Sequence, residues 1–238
     1  MKLSANLSAL LVLLPLIGGC VSGYTKFYHD HAINVNSNEY VLSNDEPKIT
    51  KGNDADTDSL SMLSDGYVMI GYSSFNGKLE STDNAIVKAK EIGATHIIVY
   101  SKYTGTVSSF TPLFTPGAFG TINTSYMPMS VNRLDQGATY WVKKKKWNFG
   151  AGIGDVPDDM KQKYGSNKGA YLGYIVKNSP AYNADIGPRD IVTHINGEQI
   201  ISANHMLEIL NRNNGKEIQI TLWRDNGTYE KKLTLLGI

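Results

Sequence analysis

A single cysteine, Cys20, is the feature that most constrains how this 238-residue chain can fold. Because the chain has no second thiol, an intrachain disulfide cannot hold a small domain together. The fold must therefore be stabilised by hydrophobic packing or by a partner, and the length allows one or two small domains. The 14 tyrosines and 23 glycines favour β structure with many turns.

The residues before Cys20 have the pattern of an export signal. Lys2 supplies a positive charge, and Leu7 to Ile17 is an apolar stretch that is too short to span a bilayer. The run Ile17-Gly18-Gly19-Cys20 resembles the lipobox of bacterial lipoproteins. The resemblance implies that residues 1–19 are a signal peptide, that Cys20 is lipidated, and that this lipid anchors the protein to a membrane. An ordinary secretory signal that is cleaved near a cysteine is the alternative.

The same resemblance bears on the location of the protein. Val21, instead of an aspartate, follows the cysteine, which favours the outer membrane. We therefore expect a lipid-anchored protein of the bacterial cell envelope that faces the periplasm. The net charge of +1 gives no general attraction for nucleic acid, so we expect no nucleic-acid partner.

The mature chain divides into three parts by pattern. Residues 20–52 are polar and without a sustained period, which predicts a tether with a short strand near residues 47–51. Residues 53–147 predict a small α/β domain, in which apolar runs at 67–72 and 96–100 flank a helix at 85–92 as a parallel β-α-β unit. Residues 104–130 predict a long hairpin or a mobile loop, and residues 138–143 a further strand.

Residues 148–238 carry a different series of signals. Tyr171 to Val176 and Ile191 to Ile195 predict buried strands, and a helix from Ser179 separates them. Asn196-Gly197 predicts a hairpin turn, and Ser202 can cap a helix that ends before Gly215. Two further strands joined at residues 225–227 complete this part of the chain.

Three short motifs in this region resemble bacterial PDZ domains. They are Ser179-Pro180-Ala181, Asp190-Ile191-Val192 and Ile195-Asn196-Gly197, and residues 157–165 resemble the additional short helix of HtrA-like PDZ domains. The resemblance implies an α+β fold, with a small α/β domain followed by a PDZ-like, partly open β-barrel with two helices. Arg189 and Asp185 stand where the family usually has glycine, so the turn between them could be built differently.

The PDZ resemblance also implies a site. Such domains bind an extended peptide between a sheet edge and a helix, and a loop of backbone N–H groups holds the peptide's terminal carboxylate. Gly150, Ala151, Gly152 and Ile153 match the pattern of that loop, although a flexible linker is an alternative interpretation of these residues. Two rows of the following helix remain open as the groove wall: Asn204, Glu208 and Asn211, or His205, Ile209 and Arg212.

The sequence contains no pattern that predicts catalysis, a cofactor or a metal site. The nucleophile motifs of hydrolases and the phosphate loop are absent. Asp54, Asp56, Asp58 and Asp65 imitate the spacing of a calcium loop but lack its glycine and its last glutamate, so helix capping is the simpler interpretation. Lys143 to Lys146 predicts either a solvated strand end or a contact with anionic lipid headgroups.

Three hypotheses for function remain from the sequence. The first is a non-catalytic, membrane-tethered adaptor or scaffold that captures a peptide or protein C-terminus in the envelope. The second is a structural envelope protein whose groove is occluded. The third is an accessory subunit that lends its PDZ domain to a separate envelope protease.

Overall fold

The computed structural model describes residues 21–116 and 122–237 and has an α+β fold built on two open sheets. The first sheet is formed by the strands β1–β6, and three helices pack against it. Its strands are β1 (Tyr28–Asp30), β2 (Tyr40–Val41), β3 (Lys48–Lys51), β4 (Tyr67–Gly77), β5 (His96–Pro116) and β6 (Ile122–Lys144), and its helices are α1 (Gly23–Lys26), α2 (Ala55–Ser64) and α3 (Asp83–Ile92).

A long hairpin lies at the centre of the first sheet. The strand order is β1-β4-β6-β5-β3, with β2 on the end of β6, and β5 and β6 pair antiparallel from His96 with Trp141 to Pro116 with Ile122. Of the two structures predicted for residues 104–130, a long hairpin or a mobile loop, the described residues form the two paired strands of the hairpin. The predicted order β4-α3-β5 is present, and both strands run antiparallel to β6. They are parallel to each other but are separated by β6.

The segment predicted as a tether is folded wherever the structure describes it. Residues 21–52 contribute α1 and the strands β1 to β3, and β3 pairs parallel with β5 over Lys48 to Lys51. Tyr24 and Tyr40 from this segment are buried in the core of the first sheet. The short strand predicted near residues 47–51 is present as β3. The interpretation of the other described residues as a polar tether is wrong, because they form α1, β1 and β2 and bury two tyrosines.

Each face of the first sheet has its own core. Tyr24 of α1 and Ala85 and Ala89 of α3 pack with Tyr140 on one face. Met62 of α2 packs with Trp141 on the other face. The helix α2 begins at its N-cap Asp54, whose Oδ1 accepts a hydrogen bond from the Thr57 N–H. An aspartate of this group therefore caps a helix, but the cap is neither Asp56 nor Asp58, which lie in the first turn.

The second sheet contains the remaining strands, in the order β12-β11-β9-β8-β7, with β10 on β9. It is an open sheet, and this corrects the predicted partly open barrel. Its elements are β7 (Ala151–Gly154), α4 (Asp158–Tyr164), β8 (Ala170–Ile175), α5 (Pro180–Asn183), β9 (Ile191–Ile195), β10 (Glu198–Gln199), α6 (Ala203–Arg212), β11 (Glu217–Arg224) and β12 (Gly227–Thr234).

Local signals explain where the elements of the second sheet begin. The Ser179 side chain accepts a hydrogen bond from the Tyr182 N–H at the start of α5. At the start of α6 the Ser202 side chain accepts a hydrogen bond from the His205 N–H. Asn196 has a φ of 51°, in the left-handed region that its turn between β9 and β10 requires. Alternate residues of β11 are then buried and join α6 in a single apolar core.

Candidate functional site

The strand at one edge of the second sheet is short and rich in glycine. β7 pairs with β8 along one edge, with Ala151 opposite Ile175 and Gly152 opposite Tyr174, and a bulge follows before Ile153. In the described residues no other strand pairs with β7. An edge strand presents unpaired backbone N–H and C=O groups, so this edge can accept an additional strand.

Helix α6 lies beside β7 and is joined to both of its flanks by hydrogen bonds. At the start of the helix, the Ala203 N–H donates to Oδ1 of Asp155, directly after β7, at 2.8 Å. Beyond its end, the side-chain amide of Asn148, ahead of β7, donates to Oδ1 of Asn214 at 2.7 Å. The strand and the helix are therefore the two walls of a groove.

These two contacts join both ends of α6 to the flanks of β7. Ala203 and Asn214 are about three helical turns apart, and residues four and seven positions after Ala203 lie on the same side of the helix. These residues are Leu207 and Leu210. Leu210 belongs to the core, whereas Leu207 is 44% exposed. Of these two residues, Leu207 is therefore the apolar side chain that remains accessible to a ligand.

The helix residues predicted from the sequence lie on other sides of α6. Asn204 and Glu208 are exposed to solvent, about a quarter turn further around the helix than Ala203 and Leu207. Ile209 is 1% exposed and packs in the core of the domain. The periodicity identifies the buried side of α6, but it does not distinguish the flank that meets β7.

The second predicted row, with His205 and Arg212, faces β10. His205 Nε2 lies 3.1 Å from Oε1 of Glu198, and Arg212 Nη2 donates to both oxygens of the same carboxylate at 3.0 Å. The hydrogen bond from Arg212 lowers the pKa of Glu198. This cluster fixes α6 to the β9–β10 turn, so these side chains have a structural partner outside the groove.

The loop before β7 depends on a glycine. Gly150 is buried and has a φ of +87°, in the left-handed region that favours glycine. A Cβ at this position would lie 2.1 Å from the Cβ of Ser179. The Ser179 hydroxyl donates to the Gly150 carbonyl at 3.2 Å, so the cap of α5 also supports this loop.

Gly152 is required for a different reason. A Cβ on Gly152 would lie 2.2 Å from Cε1 of Tyr174, on the neighbouring strand. The Tyr174 ring therefore covers the position where a side chain would stand, and burial raises the pKa of Tyr174. A larger residue at position 152 meets this ring before it can reach a ligand. The sequence pattern at 150–153 did not reveal this contact, because it is made with the neighbouring strand.

The turn that leads into β9 contains two residues in the left-handed region. Asp185 has a φ of 55° and Arg189 a φ of 74°, so both adopt the backbone conformation that glycine favours. The sequence left open whether this turn was built differently. Asp185 is also bound by Lys231 at 2.9 Å, and the hydrogen bond from Lys231 lowers the pKa of Asp185.

The same turn is held by a buried ion pair. Asp190 is 1% exposed, and Arg224 binds it with Nε at 2.6 Å from Oδ1 and Nη2 at 2.7 Å from Oδ2. Gly187 donates its N–H to Oδ2 at 2.7 Å. The hydrogen bond with Asp190 raises the pKa of Arg224. The aspartate of the motif at 190–192 therefore supports the fold.

The residues predicted for export and lipidation, 1–19 and Cys20, lie outside the described residues. Within the described ranges, none of the helices has the length and apolar character needed to cross a membrane. In the same ranges, no three or more His, Cys, Asp or Glu side chains are grouped so that they could hold a metal ion.

Comparisons with known proteins identify a family for part of the second sheet. Residues 172–224 match the family model for the PDZ domain. No curated protein matches the chain. A similar solved structure is the HtrA3 PDZ domain bound to a phage-derived ligand (FGRWV), at 16% identity and a TM-score of 0.33, covering 36% of this chain and 81% of that chain.

Two other structures extend this comparison. The HtrA-type protease AlgW with a decapeptide is 12% identical with a TM-score of 0.33, and the match covers 41% of this chain but only 36% of the protease chain. A PDZ domain protein from Parabacteroides distasonis is 10% identical with a TM-score of 0.21, over 82% of this chain and 69% of that chain. By its family match, the second sheet of this protein includes a PDZ domain.

Proposed function

We propose that this protein is a lipid-anchored adaptor or scaffold of the bacterial envelope that binds the C-terminal segment of a partner protein without catalysing a reaction. The observation that carries the proposal is the edge of β7, with which no other described strand pairs and beside which α6 carries the exposed Leu207. A peptide added to this edge gains backbone hydrogen bonds from the strand and apolar contact from the helix.

The ends of the groove suit a peptide with a free carboxylate. The Val176 N–H donates to the Gly150 carbonyl at 2.9 Å, so the backbone of Gly150 is hydrogen-bonded to the end of β8. In an antiparallel pair every second residue makes these hydrogen bonds, and the backbone groups of the residue between them point away from the partner strand. By that alternation the backbone groups of Ala151 point to the open edge. Ala151 has only a methyl side chain, so its backbone is little shielded at this edge, which suits an N–H group directed at an anion.

The walls of the groove suit an apolar side chain at the end of the peptide. Ala151 and Ile153 of β7 are half-buried and pack on the core of the domain. Leu207 stands opposite them on α6. Burial of an apolar side chain between these walls contributes about 1.5–3 kcal/mol, and the backbone pairing fixes the direction of the peptide.

A charge placed on the groove side of α6 tests this arrangement. We expect Leu207→Asp to weaken binding of a pentapeptide, selected from a library with free carboxyl termini, by about 10- to 100-fold. Asn204→Asp adds the same charge on the solvent side of the helix and should change the affinity by less than about threefold. Isothermal titration of both variants measures the difference, and amidation of the peptide should also weaken binding.

Two outcomes would contradict the peptide-binding proposal. The first is an equal effect of Leu207→Asp and Asn204→Asp on affinity, since the helix would then not present Leu207 to the ligand. The second is full affinity for the amidated peptide, since a loop around Gly150 that holds a carboxylate would lose its charged ligand.

The anchor is tested separately from the groove. We expect Cys20→Ser to leave the precursor uncleaved or to release the protein into the soluble periplasmic fraction, because Cys20 is the only thiol in the chain. Cell fractionation measures where the Cys20→Ser protein is found, and the intact mass of the wild-type protein shows whether its N-terminus is acylated. A mature wild-type protein without acyl mass at its N-terminus would exclude the anchor but would leave the groove proposal intact.

A structural role in the envelope is the second candidate, and the β5–β6 hairpin favours it. Residues 101–104 and 106–108 of this hairpin are exposed, and the two strands pair to their ends. Co-purification from envelopes with and without residues 148–238 separates the candidates. A partner lost with this region supports the adaptor, a protease among the lost partners supports an accessory subunit, and a partner that is retained supports the structural role.

A further inference from the structure

A basic cavity lies between the end of β6 and the turn that follows β8. It has a volume of about 430 Å³, and its lining includes Trp147 together with five lysines and one aspartate, Asp65. The lysines are Lys143, Lys144, Lys145, Lys146 and Lys177. The first sheet contributes the run at 143–146, and the second sheet contributes Lys177.

The charge of this cavity differs from that of the whole chain. The chain carries a formal charge of only +1, whereas lysines far outnumber acids around the cavity. The one carboxylate, Asp65, is bound by Lys177 at 2.6 Å. Among the ion pairs of the described residues, none involves the four lysines of the run at 143–146. Their positive charge is therefore not neutralised by a neighbouring side chain.

Three of these lysines have side-chain contacts in the structure, and two of them contact aromatic rings that line the cavity. Lys143 Nζ lies 5.4 Å from the ring centre of Tyr67, and Lys144 Nζ lies 5.3 Å from that of Trp147. Lys145 Nζ donates to the Ser37 carbonyl at 2.6 Å. Aromatic rings and a carbonyl are weak counterparts for an ammonium group, and like charges held this close repel one another.

A second, independent feature of the cavity is an unsatisfied donor. The indole Nε1 of Trp147 is buried and has no hydrogen-bond partner among the described residues. It lies beside Gly66, where a Cβ would be 3.4 Å from this nitrogen. Buried N–H groups are nearly always paired with a protein group, a water or an ion. An oxyanion that enters the cavity can supply the missing negative charge to the lysines that line it.

We propose that the cavity lined by Trp147, Lys177 and the lysine run at 143–146 binds a phosphate group, which is either the headgroup phosphate of an anionic lipid or a free phosphate. A phosphate offers several strong acceptor oxygens, and ammonium groups bind it as point charges. Because the two sheets both contribute lysines, a bound phosphate would also join them and stabilise the folded chain.

The free-phosphate arm uses inorganic pyrophosphate and the full mature protein in a neutral detergent. We expect millimolar pyrophosphate to raise the midpoint of thermal unfolding by about 3 °C or more, relative to sodium chloride of equal ionic strength. Lys144→Gln/Lys146→Gln should abolish this shift and should raise the midpoint at low salt, because mutual repulsion is relieved. The matched control Lys161→Gln/Lys163→Gln removes two lysines of α4 and should keep the shift.

The lipid arm measures flotation with vesicles of phosphatidylcholine, with or without phosphatidylglycerol, using residues 21–238 so that neither a signal peptide nor an acyl anchor contributes. Binding only to the vesicles that contain phosphatidylglycerol, lost in Lys144→Gln/Lys146→Gln, assigns the site to a headgroup. A pyrophosphate shift without vesicle binding assigns it to a free phosphate. The proposal is overturned if neither probe binds, or if wild type and the double variant respond alike.

Discussion

Removal of Arg224 should destabilise the second sheet strongly, because it leaves the carboxylate of Asp190 buried without its counterion. Asp190 is 1% exposed, and Arg224 supplies two of the hydrogen bonds to its carboxylate. In Arg224→Leu the N–H of Gly187 remains as a donor to this group. Breaking a buried pair by removing one partner costs about 3–5 kcal/mol.

The lower end of this range applies here. The Arg224 side chain is 30% exposed, so water can reach the carboxylate once the guanidinium is gone. A loss of about 3 kcal/mol lowers the midpoint of thermal unfolding by about 12–24 °C for a domain of this size. Asp190→Asn combined with Arg224→Leu should recover part of the loss, because a neutral amide is less costly to bury than a carboxylate.

Calorimetry of the full chain measures both variants, and Lys231→Leu serves as the matched control. Lys231 also pairs with an aspartate in this turn, but the carboxylate of Asp185 is 84% exposed. Exposed pairs contribute about 0–1 kcal/mol, so the control should lose little stability. Equal and small losses of stability in Arg224→Leu and Lys231→Leu would refute the argument that the ion pair of Asp190 matters more for stability because Asp190 is buried.

Three further predictions concern the site and its supports. Arg189→Gly should stabilise the protein by about 1 kcal/mol in urea unfolding because it relieves the left-handed strain, whereas Arg189→Ala, which keeps that strain, should give no gain. Gly152→Ala should destabilise by about 1–3 kcal/mol through contact with Tyr174, while Gly154→Ala, whose Cβ would meet nothing within 4 Å, should be tolerated. Ser179→Ala should cost about 1 kcal/mol and also weaken peptide binding, since the hydroxyl caps α5 and supports Gly150.

The order of elements in the second sheet could be predicted because each begins or ends at a strong local signal. Ser179 and Ser202 cap their helices, and the turns at 196–197 and 225–227 connect strands as expected. These signals act over three or four residues, so they can be identified without knowledge of the fold. Whether a sheet closes into a barrel depends on strands that are far apart in the sequence, so local signals do not show it. The partly open barrel that was predicted is an open sheet in the structure.

The register of α6 could not be predicted for a related reason. The apolar residues Met206, Ile209 and Leu210 show which side of the helix is buried, and that side is correct in the structure. The flank beside β7 is fixed by the bonds of Ala203 and Asn214 to residues more than forty positions earlier in the chain. Periodicity within one helix contains no information on such contacts.

The first sheet shows the same limit of local patterns. The strands β1 to β3 are two to four residues long and mostly exposed. The short strand predicted near 47–51 corresponds to β3, whereas neither length nor alternation marks β1 and β2 in the sequence. They form because β4, β5 and β6 offer edges for pairing. A strand that depends on its neighbours for hydrogen bonds and burial is predicted only when those neighbours are known.

The two edges of the second sheet differ in a way that supports peptide addition at only one of them. The outer strand β12 carries Glu230, Lys231 and Lys232, and charged side chains on an edge oppose pairing with another chain. The opposite edge, β7, has no charged residue, and its glycines and alanine leave the backbone accessible. Helix α6 is bonded to both flanks of β7 and carries the exposed Leu207, so we expect a ligand at this edge to be a single extended chain.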